Sequence, residues 1–426
     1  MNKPILQIGD KGAKVMLLQN RLSEIGYNPG IVDGIYGNLT KNAVIQFQSD
    51  HALKPDGIVS LSGWKALMPY IEGFNRYTVG VADTIKDIAQ NHYTTVSQIV
   101  TCNPGIEKEG FQPGMQLNVP YGFDVIPSNI SYSPDLLESH IRGLSARYPF
   151  LGTGIIGQSV LGKPLYFLRL GSGKKKVLYN GAHHALEWIT SVLLLKFCEN
   201  FCRTYSRGEK MKGIDIHGLY NSCSIYVIPM VNPDGVDLVV NGLSAENPFY
   251  YDLLSWNHDN LPFEEIWKAN IRGVDLNLNY PANWDKAKEL ESKFNACKPS
   301  PCRHAGPSPL SEPETFALAD FTQRLKPELV IAYHTQGRVI YWNYGTSAPP
   351  RSKDIAEILS GVSGYGLEET LPEDSYAGYK DWFIQEFDKP GYTFEAGIGV
   401  NPLPISQLGT IYLDNEKAML LAALLA

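Results

Sequence analysis

Four apolar, β-rich runs recur through the C-terminal two thirds of the chain: Lys176–Tyr179, Ser224–Pro229, Leu329–Tyr333 and Gly391–Phe394. Helical stretches such as Ile189–Phe201 and Pro313–Leu325 lie between them. A strand that is apolar along its whole length is buried on both faces, which happens where crossover helices cover a parallel sheet. The pattern predicts one α/β domain over residues 125–426, built on a mixed, mostly parallel sheet flanked by helices.

Ligands of such sheets collect beyond the carboxyl ends of the strands. The segment Val177-Leu178-Tyr179-Asn180-Gly181-Ala182-His183-His184-Ala185-Leu186-Glu187 runs from a strand through a loop toward a helix. His184 and Glu187 are three residues apart, so an imidazole and a carboxylate can converge on one ion. Alone, the pair also fits a solvated helix start whose charge favours the N-terminal dipole. Val330-Ile331-Ala332-Tyr333-His334 adds a second apolar strand that ends in a histidine, in isolation an ordinary core residue. Together His184, Glu187 and His334 make the three-ligand set of a catalytic zinc site, with one position left for water. Glu395 ends a third run, Tyr392-Thr393-Phe394-Glu395, and is the candidate general base.

The N-terminal third has a different texture. Val15, Leu18, Leu22 and Ile25 follow helical spacing and stop at Gly26; turns at Asn28-Pro29-Gly30, Asp33-Gly34 and Asp56-Gly57 separate two further helices. Residues 1–73 therefore read as a small three-helix domain. Residues 76–121 read as strand, helix, helix, strand, with Asp83-Thr84 capping the first helix and Asn103-Pro104 breaking the second.

Bulk properties exclude several classes. With 44% hydrophobic and 19% charged residues among 426, the chain supports about two to four globular domains. A net charge of −7, with Lys174-Lys175-Lys176 as the one compact basic run, argues against nucleic-acid binding. No run reaches the roughly 18 apolar residues of a membrane span. The opening residues lack a signal-peptide core, so the expectation is a protein that begins in the cytoplasm and is a monomer. The six cysteines, including Cys198 and Cys202 and Cys297 and Cys302, are expected to be reduced thiols.

Three resemblances sharpen this reading. Leu18-Gln19, Gly26-Tyr27, Asp33-Gly34-Ile35-Tyr36-Gly37, Ala43-Val44, Phe47-Gln48 and Asp56-Gly57 resemble the helical peptidoglycan-binding module. Tyr77, Val79, Asp83-Thr84, Ile88-Ala89, Asn103-Pro104, Leu117 and Pro120 resemble a LysM domain, a βααβ unit that binds N-acetylglucosamine-containing glycans; Ala82 stands where that family commonly has glycine. Residues 133–426 resemble the metallocarboxypeptidases through His184-Ala-Leu-Glu187, Asn232-Pro233-Asp234-Gly235, Arg272-Gly273-Val274-Asp275-Leu276-Asn277, His334-Thr335 and Phe394-Glu395. That resemblance implies a carboxypeptidase-like fold with one zinc held by His184, Glu187 and His334. It implies Glu395 as base and proton donor, Arg272 as the oxyanion cation with Lys268 as the alternative, and Asn277 as a substrate-positioning side chain.

Two departures from the family pattern bear on substrate. Leu278 occupies the place of an arginine that clamps the substrate's terminal carboxylate, a bidentate contact no aliphatic chain can mimic. Lys380, in Tyr379-Lys380-Asp381-Trp382, takes the pocket-floor position that selects the side chain after the cut and would favour a carboxylate, unless it pairs with Asp381. The tyrosine that covers substrate falls in Ser375–Tyr379, with Tyr376 preferred. The layout of wall-binding unit, LysM and peptidase resembles peptidoglycan endopeptidases that cut between γ-D-glutamate and the diamino acid, meso-diaminopimelate or L-lysine, of the stem peptide. The competing readings are a carboxypeptidase acting on wall-derived peptides and a non-catalytic wall-binding protein. Such an enzyme would meet wall material in a sporulating cell or after lysis.

Overall fold

The computed structural model of the chain describes residues 4–257, 260–370 and 376–426, which fall into two units, 1–152 and 153–426. The first unit opens with helices Ala13–Glu24, Asn38–Asp50 and Leu61–Glu72. Val15, Leu18, Leu22, Val44, Phe47, Trp64 and Leu67 are buried, so the expected helical faces do form the core. Strands β1 (Phe74–Thr78) and β2 (Gln116–Pro120) then pair antiparallel around helices Ile85–Asn91 and Val96–Cys102. The Thr84 hydroxyl accepts a bond from Asp87 N at 3.1 Å, the cap its position anticipates. A short helix, Ile106–Glu109, was not expected; Ile106 inserts into the same core as Val79, Ile88, Ile99, Leu117 and Val119. Helix Pro134–Arg147 packs within this unit, against Leu61–Glu72 and Val96–Cys102.

The second unit is organised by an eight-stranded sheet. Its strands are β3 (Gly152–Gln158), β4 (Pro164–Leu170), β5 (Lys175–Gly181), β8 (Cys223–Ile228), β9 (Leu329–His334), β10 (Val339–Tyr341), β11 (Gly366–Glu368) and β12 (Gly391–Glu395). A separate two-stranded ribbon comprises β6 (Lys210–Met211) and β7 (Ile214–Asp215). The sheet order is β11-β10-β12-β9-β5-β8-β4-β3. The four central strands, β12-β9-β5-β8, run parallel, whereas β10 and β4 pair antiparallel with the ends of that set. All six residues of β9 and the last five of β5 are buried, as continuous apolar strands require. Helices Ile189–Arg207, Pro313–Leu325 and Leu408–Leu425 accompany the sheet. No helix among the described residues is long and apolar enough to cross a membrane. Cys102, Cys198, Cys202, Cys223, Cys297 and Cys302 are all free thiols.

Candidate metal centre

Register explains how residues 147 positions apart in sequence come to meet. Strands β5, β9 and β12 are parallel neighbours, so their carboxyl ends lie side by side, and Glu395 is the direct β-partner of His334. Beyond β5 the chain turns through Ala182 at φ 51° and reaches His184. Glu187 follows on a 3-10 turn, Ala185–Glu187, just before the helix starting at Ile189.

His184, Glu187 and His334 form one cluster. His184 Nδ1 lies 2.8 Å from Glu187 Oε1, His334 Nδ1 2.9 Å from Glu187 Oε2, and the two Nδ1 atoms are 3.3 Å apart. Two nitrogen ligands on a tetrahedral zinc, each at about 2.0–2.1 Å, stand about 3.3–3.4 Å from each other. The donors are therefore already spaced for one ion. His184 Nε2 faces Asp275 Oδ1 at 3.1 Å, an arrangement that keeps the proton on Nε2 and turns the Nδ1 lone pair inward.

Electrostatics point the same way. Burial pushes the His184 imidazole down, but the Glu187 and Asp275 carboxylates outweigh it and hold it at about 10. Burial likewise opposes ionisation of Glu187 and Asp275, yet the neighbouring imidazoles keep both well below the usual carboxylate range. The His184 ring lies between the two carboxylates, bridging Glu187 through Nδ1 and Asp275 through Nε2. Glu395 differs: burial, with Glu187 adding to it, lifts its carboxyl to about 7. A carboxylate near that value can take a proton and later return it.

The remaining expected residues separate. Lys268, Asn277, Leu278, Tyr376 and Lys380 line a cavity of about 360 Å³ that also reaches His184 and Glu395. A second cavity, of about 1160 Å³, meets the first at His184, Lys268 and Glu395. Arg272 lines neither; its guanidinium lies 3.7 Å from the Glu312 carboxylate. Lys268, the alternative, lines both cavities, and the backbone N–H groups of Lys268 and Ala269 donate to Pro301 O. Of the two tyrosines in the covering segment, Tyr379 is fully buried against Thr322, which leaves Tyr376 in the cavity; Ser375 lies outside the described residues. Asn277 accepts a bond from Tyr379 N at 3.1 Å. Lys380 is buried, donates to Asn343 O and Thr370 Oγ1 at 2.5 and 3.0 Å, and ion-pairs with Asp381 at 2.6 Å.

Sequence reasoning missed two residues of the site. Asp275 stood inside a quoted motif, and its position after Gly273-Val274 was the available signal. Asn401, whose Nδ2 lies 3.5 Å from Glu187 Oε1 and 2.8 Å from Thr335 O, gave none.

A parallel-sheet crevice holding a His-Glu-His donor set beside a raised carboxyl defines a zinc-dependent hydrolase. The chain belongs to the zinc carboxypeptidase family, whose profile matches residues 137–402. Residues 11–67 match a peptidoglycan binding domain and residues 77–120 match the LysM domain. Gamma-D-glutamyl-L-diamino acid endopeptidase 1 of Lysinibacillus sphaericus is 43% identical over 282 residues, 66% of this chain and 69% of that protein. Carboxypeptidase B of Rattus norvegicus is 25% identical over 288 residues, 61% of this chain and 62% of that protein. Among solved structures, thrombin activatable fibrinolysis inhibitor shares the fold at TM-score 0.54 and 20% identity, covering 82% of this chain and 98% of that one. Carboxypeptidase A from Helicoverpa armigera does so at TM-score 0.52 and 16% identity, covering 99% of both chains.

Proposed function

We propose that the protein hydrolyses the bond between γ-D-glutamate and the diamino acid, meso-diaminopimelate or L-lysine, of peptidoglycan stem peptides. Residues 1–73 and 76–121 would hold the monomer on glycan strands while residues 125–426 act on the peptide, on wall material in a sporulating cell or after lysis. The observation that carries the endopeptidase reading is Leu278. It lines the cavity beside the metal cluster, half-buried, where a carboxypeptidase needs an arginine to grip a free terminus. The Lysinibacillus relative's name supports the same bond.

His184, Glu187 and His334 would hold the zinc, which supplies Lewis acidity and a lowered water pKa. Asp275 keeps the His184 ring in its ligating tautomer. Glu395 takes the proton of the attacking water and passes it to the leaving nitrogen. Lys268, which lines both cavities, would face the developing oxyanion, whereas Arg272 lines neither and pairs with Glu312. Asn277 and Tyr376 line the leaving-group side, and Lys380 selects the diamino side chain only if one of its three protein partners yields.

The test is mass spectrometry of muropeptides digested with the zinc-loaded chain. The expected products carry a new amino terminus on the diamino acid and a free γ-carboxyl on D-glutamate. Release of terminal residues alone, and only from peptides with free C-termini, would establish the second reading, a carboxypeptidase on wall-derived peptides.

A further inference from the structure

The cavities of the catalytic unit follow one another. The cavity of about 1160 Å³ meets that of about 360 Å³ at His184, Lys268 and Glu395, so the candidate reacting groups stand at their seam. The smaller of these two, with Leu278 and Lys380, shares Tyr376 with a third cavity of about 550 Å³. We infer that this third cavity is a subsite for the residue that follows the diamino acid, with Lys286 receiving that residue's carboxylate.

The family's terminal clamp is replaced by Leu278. Leu278 packs with Tyr376 and Trp284 around buried Ala287, Ala305 and Ala377, so the groove is walled there by apolar side chains. Trp284 opens the helix Trp284–Leu290, and two positions later the same helix places Lys286 Nζ 5.2 Å over the Tyr376 ring. Among the described residues lining the third cavity, the charged ones are Lys286 and Asp388. The cation is the one on the Tyr376 side, from which a peptide leaving the cavity lined by Leu278 and Lys380 would arrive. Asn283 and Ser347 line the same space and offer polar partners to a peptide backbone. The carboxylate anchor is thereby moved one residue further along the substrate than in a carboxypeptidase.

This inference rests on the endopeptidase reading, and its test separates the two. The full-length zinc enzyme is given L-Ala-γ-D-Glu-diaminopimelate, the same stem extended by D-Ala, and the extended stem as its C-terminal amide. The D-Ala stem should be cut about two- to fivefold better in kcat/KM than the tripeptide or the amide, the scale of an exposed ion pair. Lys286→Ala should erase that preference while leaving tripeptide cleavage unchanged, and Lys286→Glu should favour the amide. Lys286 is exposed, so neither change threatens folding. If both variants keep the parental ratios while the γ-D-glutamyl bond is cut, the subsite is refuted and the endopeptidase reading stands. If no substrate is cut at that bond, the reading fails and takes the subsite with it.

Discussion

The two ends of the catalytic groove are built on opposite principles. At the metal end His184, Glu187, His334 and Asp275 form a chain of contacts no longer than 3.3 Å, and the first three offer donor atoms that could hold one metal ion. At the leaving-group end Lys380 is already answered by Asn343, Thr370 and Asp381, and Arg272, which lines neither cavity, by Glu312. The contrast teaches that chemistry and selectivity are separable here. The first is an unfinished coordination shell, and the second includes a lysine already paired within the protein.

If that contrast is right, damage to the metal end should be the most severe. Glu187→Ala or His334→Ala should strip the zinc, measured by metal analysis of the purified protein, and abolish hydrolysis; chelation of the parent should do the same and readdition of zinc should reverse it. Metal retained at full stoichiometry in either variant would break the ligand assignment. Glu395→Gln should keep the zinc yet lose about 10²–10⁴-fold in kcat. The parent's pH profile should agree with this. A base raised to about 7 by burial works only when deprotonated, so kcat/KM should fall as pH drops through that value, and a bound cation can only move the acid limb lower.

The oxyanion cation offers a sharper comparison. Lys268→Ala should cost about 10²–10³-fold in kcat, whereas Arg272→Ala, which loses one half-exposed ion pair, should stay within about fivefold. The reverse order would restore Arg272. The smallest catalytic effect is expected at the wall. Lys380→Met leaves Asp381 buried without its partner, so it should lower stability by about 3–5 kcal/mol in denaturant unfolding. The double change with Asp381→Asn should recover most of that loss. If Lys380 also reads substrate, the double variant should lose activity on diaminopimelate stems more than on lysine stems; equal activities would leave the residue purely structural.

Much of the metal end was legible because strand chemistry is local. An apolar run that ends in His334 or Glu395 announces a buried strand with a polar residue at its carboxyl end, and parallel pairing does the rest. The same holds for the small N-terminal units, where Thr84 and the turn at Gly26 act through neighbours a few residues away. Loop residues were not legible in this way. Nothing near Arg272 or Lys268 says which one faces the metal, because Lys268 is fixed through Pro301 and Arg272 is drawn to Glu312.

The mixed α/β sheet and the strand ends that carry His334 and Glu395 were written in the chain's own periodicity, and the wall-binding units in their local motifs. Only the tertiary structure decided that Lys268 and not Arg272 enters the groove, that Tyr376 and not Tyr379 lines it, and that Lys380 arrives already paired. Those outcomes depend on which distant carboxylate, carbonyl or hydroxyl reaches a side chain first, and chain spacing carries no record of such long-range contacts.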